Sequence, residues 1–187
     1  MKRNAAAFYV ANFQPIIQGD YSVRALNKDD VEILKYIRTL AVSEYPNMFL
    51  DNAENTHKKS NEEWLSLICG ENKCIFGLFE GVRVIGLASV FQPNIEIMEG
   101  HIAMGYIVSE YRGKGLSSLL YQARIKWAVE HSHFKALTAS HREGNEASRK
   151  SMMKHGFIYV GQEPETFGDG TTGMSYKYKL DLEPLRL

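Results

Sequence analysis

The stretch Ile107-Val108-Ser109-Glu110-Tyr111-Arg112-Gly113-Lys114-Gly115-Leu116 decides how this chain is read. Upstream of it, His101, Ala103 and Gly105 interleave with larger apolar residues through Ile102 to Val108, the pattern of a strand whose two faces differ. Downstream, Leu116, Leu119, Leu120, Ala123 and Trp127 repeat at helical spacing and predict a long amphipathic helix reaching about His131. A strand is therefore joined to a helix by a basic turn with two glycines. Such a turn can grip phosphate. Gly113 and Gly115 let the backbone approach a ligand, the free amides at the helix start point outward, and the helix dipole favours an anion there. Arg112 and Lys114 add positive charge at its mouth, and Ser117 and Ser118 place hydroxyls in the first helical turn. The plainer alternative is a tight, solvent-exposed turn with no ligand. No Gly-x-x-x-x-Gly-Lys-Ser/Thr pattern occurs, and this turn does not extend to Gly-x-Gly-x-x-Gly, which weighs against an ATPase or a dehydrogenase.

Working outward, Tyr21 to Ala25 alternates as a strand, and Asn27-Lys28-Asp29-Asp30 precedes Val31, Leu34, Ile37 and Ala41 at helical spacing. Tyr45 to Lys59 is polar, contains Pro46 and reads as a loop. Ser60 and Glu63 form a capping box for a short helix, Asn61 to Ile68. Lys73 to Phe79 and Val82 to Phe91 are rich in β-branched and aromatic residues and flank Glu80-Gly81, so they predict an antiparallel hairpin. Lys135 to Ser140 reads as a strand, Asn145 caps a helix that runs to His155, and Gly156 stops it. Phe157 begins a further apolar segment, and Met174, Tyr176, Tyr178 and Leu180 alternate in a last strand.

Composition sets the class. With 187 residues, 44% of them hydrophobic, the chain can bury one sizeable core, and it is divided here into an N-terminal extension, residues 1–20, and a single domain, residues 21–187. Lys plus Arg balances Asp plus Glu at 22 each, so no global field draws the protein onto nucleic acid or an anionic membrane. Its longest apolar run, Val84 to Phe91, is far too short for a bilayer span. Cys69 and Cys74 suit neither a disulfide framework nor a zinc site and read as free thiols in a reducing cytoplasm. Six scattered histidines lack metal-ligand spacing, so no metal is expected.

The glycine turn resembles that of the GNAT superfamily of N-acyltransferases, which carry Gln/Arg-x-x-Gly-x-Gly/Ala at such a strand-to-helix junction and bind the pyrophosphate of coenzyme A on its amides. Tyr111-Arg112-Gly113-Lys114-Gly115 matches fully; Glu110 stands where the pattern asks for Gln or Arg. A second likeness follows in order: Asn145-Glu146-Ala147-Ser148, then Gly156-Phe157, resembles the family's Asn-x-x-Ser and Gly-Phe element, in particular the ribosomal-protein N-terminal acetyltransferase branch. The resemblance covers the chain from about Tyr21 to Leu180. It implies an α/β (α+β) GNAT fold: one central mixed, mostly antiparallel twisted sheet of about seven strands, with helices on both faces.

The same resemblance implies the chemistry. Acetyl-CoA would be the cosubstrate, its pyrophosphate held by Arg112, Gly113, Lys114, Gly115, Leu116, Ser117 and Ser118, and its pantetheine arm by Asn145 and Ser148. Strands equivalent to Ile102–Val108 and Lys135–Ser140 splay apart in the family, and a backbone amide near Ile107 or Val108 would polarise the thioester carbonyl. His101 is the first candidate for the base that deprotonates the amine, on a shared strand face with Ala103 and Gly105; a strand-end structural role is the alternative. Ala103 stands where a Glu is more usual, and Glu99, His141 and Glu165 are lesser candidates. The usual tyrosine acid is replaced by Met152, which leaves Ser148 to protonate the departing thiolate, directly or through water, or merely to bond the cofactor. Asn145 and Ser148 equally fit a helix cap and a first-turn residue with no ligand. The partner would be an amine, small molecule or peptide N-terminus, with Asn47–Lys59 and Glu163–Thr172 framing its pocket. A homodimer is compatible with this reading. A catalytically weak or inactive CoA-binding module is the rival class, kept open by the missing tyrosine.

Overall fold

The computed structural model describes residues 13–68, 72–130 and 133–186. Among the described residues eight strands form one sheet: β1 (Ile16–Gln18), β2 (Tyr21–Ala25), β3 (Lys73–Glu80), β4 (Arg83–Phe91), β5 (Glu99–Ile107), β6 (Ala136–Arg142), β7 (Ile158–Thr166) and β8 (Thr172–Asp181). Their spatial order is β1-β2-β3-β4-β5-β6-β8-β7, and every neighbouring pair is antiparallel except β5 with β6. Among the described residues five α-helices accompany them: α1 (Val31–Glu44), α2 (Ala53–Lys58), α3 (Asn61–Ile68), α4 (Ser117–Glu130) and α5 (Glu146–Lys154).

The mixed, mostly antiparallel α/β sheet agrees with expectation, but it has eight strands rather than about seven. Strand β1 lies within the segment read as an extension. Three residues with Ile17 exposed give no periodicity to recognise. Strand β7 is exposed along most of its length because it is an edge paired only with β8, so burial writes no alternating pattern into it. Helix α2 also replaces part of the expected 45–59 loop: Asn52 accepts the Asn55 amide at 2.8 Å and starts a single short turn and a half. The Ser60–Glu63 capping box forms as read, with reciprocal bonds of 2.6 and 3.2 Å. In the hairpin the turn moves one residue on, to Gly81-Val82, with Gly81 at φ +55°. Cys69 and His131 lie outside the described residues; Cys74 is a buried free thiol whose pKa burial pushes well up.

Strands β3 and β4 read as near-continuous apolar runs because both faces are covered. On one face, Phe76, Leu78, Ile85 and Val90 pack with Leu120 and Trp127 of α4 and Met152 of α5. On the other, Leu87 and Tyr106 pack with Leu34 and Ile37 of α1 and Trp64 of α3. At the entrance to α1, Arg24 grips both Asp30 oxygens at 2.7 Å. Burial raises the Asp30 carboxyl, but the bonds from Arg24 and the Asn27 amide outweigh it and hold it below the usual carboxylate range.

Leu34 is fully buried between α1 and the sheet. Leu34→Ala should cost about 2–5 kcal/mol of unfolding free energy in a urea titration, with the denaturant slope unchanged.

Candidate functional site

A groove opens where β5 and β6 part. Only Glu99↔Ala136, Gly100↔Leu137 and His101↔Thr138 pair these parallel strands. Beyond them β6 stays with β8 through Arg142↔Ser175, and β5 stays with β4. The amide of Val108 donates to Ile85 on the β4 side at 2.9 Å. It is therefore spent, and does not polarise a ligand as the sequence reading allowed. Because amides alternate along a strand, those of Ile107 and Gly105 point the other way, into the groove.

A β-bulge reshapes the strand midway. The register between β4 and β5 shifts between Leu87 and Ser89, and Met104 takes φ +55°. His101, Ala103 and Gly105 were expected on one face. The extra residue breaks that phase: Ile102 faces α4, Met104 packs with the α1 cluster, and Gly105 again faces α4. Gly105 is solvent-exposed in mid-strand.

At the far end of β5 the glycine turn stands open. Gly113 and Gly115 sit at φ +75° and +77°, and nothing lies within 4 Å of where their side chains would begin. Among the described residues, the amides of Gly113, Lys114, Gly115, Leu116 and Ser117 donate no hydrogen bond. The amide of Arg112 goes to Ser109 at 3.1 Å and that of Ser118 to Gly115 at 3.0 Å, so the free donors run from 113 to 117. The Arg112 side chain also departs from expectation. It turns back to the Ile107 carbonyl at 2.8 Å, the Tyr45 hydroxyl and Glu44 at 3.6 Å, and so braces β5 rather than guarding the turn's mouth. Lys114 stacks over Tyr111 at 4.8 Å, and Ser118 accepts Lys154 at 3.3 Å.

His101 sits at the vertex where the strands part. Its Nδ1 lies 2.9 Å from the Thr138 hydroxyl, which itself donates to Gly100 at 3.3 Å. The hydroxyl oxygen therefore accepts Nδ1–H, and Nε2 keeps the free lone pair. Burial first, then Lys177 and Arg124, lower its pKa to about 4 against the opposing pull of Glu165. It is neutral and a ready, though weak, proton acceptor at pH 7.

Asn145 caps α5, accepting the Ser148 amide at 3.1 Å, so its side-chain oxygen is engaged as the plainer reading held. Ser148 is half-buried in the first turn, and Met152 is buried in the core. Among the lesser candidates, His141 is sandwiched by Tyr176 and Tyr178, Glu99 is paired with Lys179 at 2.5 Å, and Glu165 with Lys177 at 2.8 Å. The segments expected to frame a pocket do meet: Gly168 donates to Phe49 at 2.7 Å, while Arg142 binds Asn47, Asp169 and Thr171. Part of the second segment is strand rather than loop. Thr138, Lys177 and Arg124 were missed. Arg124 carried a readable signal, a charge one turn after Leu120 inside the apolar stripe. Among the described residues no cluster of His, Cys, Asp and Glu could hold a metal ion, and no helix is long and apolar enough to cross a membrane.

Residues 34–157 match the model of the acetyltransferase (GNAT) family. No curated protein matches the chain in sequence. Among solved structures it is similar to the ribosomal-protein-S5-alanine acetyltransferase from Vibrio fischeri, with TM-score 0.77 and 16% identity over 91% of this chain and 97% of that one. The ribosomal L7/L12 α-N-protein acetyltransferase in complex with coenzyme A gives TM-score 0.74 and 16% identity over 91% and 99%. The spermidine N-acetyltransferase from Vibrio cholerae in complex with CoA and spermine gives 0.71 and 15% over 88% and 97%. At these identities the likeness establishes the fold.

The His101 shift has a sign that a stability measurement reads. A folded pKa near 4 against 6.5 unfolded means that the unfolded chain binds the extra proton; stability is complete above 6.5 and is lost as pH falls from 6.5 toward 4. His101→Asn should flatten the stability curve in that window.

Proposed function

This chain belongs to the GNAT acetyltransferase family, and we propose that it carries the acetyl group of acetyl-CoA directly to a primary amine, on a peptide N-terminus or a small molecule. The observation that carries this reading is the run of free amides at 113–117, standing at one end of a groove whose other end holds a neutral histidine. The groove fits coenzyme A. Its glycine turn has room for backbone approach, the helix start is poised for a diphosphate, and Gly105 leaves the strand edge bare.

In this reading Gly113, Lys114, Gly115, Leu116, Ser117 and Ser118 hold the pyrophosphate, with Arg112 setting the shape of the turn. Asn145 and Ser148 flank the pantetheine arm from α5. Acetyl-CoA, when bound, supplies an activated acyl carbon. The groove-facing amides of Ile107 and Gly105 polarise its carbonyl, charges that need no reorganisation during reaction. His101 accepts the proton of the amine at Nε2 while Thr138 fixes its tautomer. Ser148 relays a proton to the leaving sulfur, directly or through water. The acceptor enters over the sheet face bearing His101, Lys177, Glu163 and Glu165, beneath the contact between residues 47–51 and 167–171. A reducing cytoplasm suits the buried free Cys74.

Incubation with acetyl-CoA and pooled peptides and amines, followed by mass spectrometry, should yield products heavier by one acetyl group; CoA binding without any product would point instead to a binding module. Gly113→Pro, which cannot hold φ +75°, should weaken CoA affinity by about tenfold or more in calorimetry. His101→Asn should lower kcat about 10²-fold and leave CoA affinity intact.

A further inference from the structure

Arg124 is a cation in a place that calls for a hydrophobe. It lies on α4 one turn after Leu120 and beside Ala123, among the residues buried against the sheet, and is only 4% exposed. Its Nε donates to the Leu120 carbonyl at 3.1 Å, and its guanidinium rides 4.3 Å from the Tyr121 ring centroid. No carboxylate pairs with it among the described residues; burial lowers its pKa and Tyr121 alone pulls the other way. A guanidinium stays charged even so. Burying an uncompensated charge is costly, where a leucine in the same position would stabilise the helix packing.

The charge does have an outlet. A side chain at Gly105 would meet one atom among the described residues within 4 Å, the Nη1 of Arg124 at 3.8 Å. Gly105 is exposed on the groove side of β5, past the last β5–β6 pair. The edge of the guanidinium therefore reaches the groove floor between the glycine turn and His101. It acts on His101 too, as one of the charges that hold that ring neutral. An anion in the groove at this level would complete the pair that the protein itself leaves open.

The reading above, on which this inference rests, assigns the pyrophosphate to residues 113–118, so the anion beside Gly105 must come from the other end of the bound molecule. Negative charge develops there in two places: on the thioester carbonyl oxygen, which the amides of Ile107 and Gly105 meet, and on the sulfur released on transfer. We propose that Arg124 is the counter-ion of the departing coenzyme A thiolate, doing by charge what Met152, a thioether with no proton to give, cannot do as an acid. The amine nitrogen forms the C–N bond as the C–S bond breaks. The electron pair leaves on sulfur, the amine proton passes to His101 Nε2 and on to solvent, and the thiolate stays ionised against Arg124 until release. Proton relay by Ser148 then becomes dispensable.

The decisive measurement is the ionisation of CoA bound to the full-length protein, followed by the ultraviolet absorbance of its thiolate, alongside turnover with acetyl-CoA and any accepted amine. The bound thiol should ionise about one pH unit or more below that of free CoA. Arg124→Met should abolish that difference and lower kcat about 10²-fold with KM for acetyl-CoA within about twofold, whereas Arg124→Lys keeps most of both. Thermal stability of Arg124→Met should hold or rise, since an unpaired buried charge is removed. Bound CoA ionising no lower than free CoA, or an Arg124→Met protein that retains the lowered value, overturns the assignment and leaves the acetyltransferase reading standing. Failure to bind CoA at all brings down both. If Arg124→Met does not fold, the wild-type titration and Arg124→Lys decide.

Discussion

Everything at the site depends on a parallel strand pair that is allowed to run for only three steps. Between the outer edges of β1 and β7, the sheet's strands are answered by a neighbour on each side; after His101↔Thr138, the edge of β5 that faces β6 has no strand partner. Unanswered backbone donors are costly unless water or a ligand meets them, so the fold itself creates a demand for an extended partner along this edge. The parting is enforced from both sides. Seven register pairs bind β6 to β8, and a bulged but continuous ladder binds β5 to β4. Neither strand can relax toward the other without breaking its outer pairing. The same geometry aligns the bare edge at Gly105, the groove-facing amide of Ile107 and the open glycine turn in one line.

Charges around this groove divide between holding and meeting. Arg112 is consumed in bracing β5 against α1, through Ile107, Tyr45 and Glu44, and the Tyr106 hydroxyl adds a 2.8 Å bond to the same Glu44. Arg142 is consumed in tying the loop after β7 to the loop after α1. Lys177 is consumed by Glu163 and Glu165. What is left facing the groove is a string of amide dipoles, Lys114 at the far rim and the unpaired edge of Arg124. The balanced net charge of the chain thus hides a local bias, and composition alone has no means of registering it.

The fold was largely legible because its long elements obey strong periodicities. The Leu116–Trp127 stripe and the Lys73–Phe91 hairpin appear as read, and the glycine turn stands between strand and helix as its residues required. The elements that escaped are those on which burial imposes no pattern: three-residue β1 and the exposed edge β7. Side-chain direction was the harder layer. The residues alone place the Arg112 charge at the mouth of the turn, but the Glu44 carboxylate and the Tyr45 phenol at the end of α1 claim it, and those lie nearly seventy residues away in sequence. His101 is singled out by the family resemblance and by its strand parity with Ala103 and Gly105, yet its partner Thr138 comes from a different strand and is visible only once the parallel register is known.

The excess residue at Met104 has an evolutionary corollary. Ahead of it, β5 presents His101 and Ala103 to one face of the sheet; behind it, Gly105 and Ile107 answer the opposite side. The two halves of one strand are thereby out of phase, and each can be altered without turning the other over. Loss of a single codon here would erase that independence, rotating one half of the strand by a full pleat and carrying either the histidine or the bare glycine edge away from the cleft. Point substitutions can alter the two halves separately, whereas a one-residue deletion at the bulge would turn one of them over against the other.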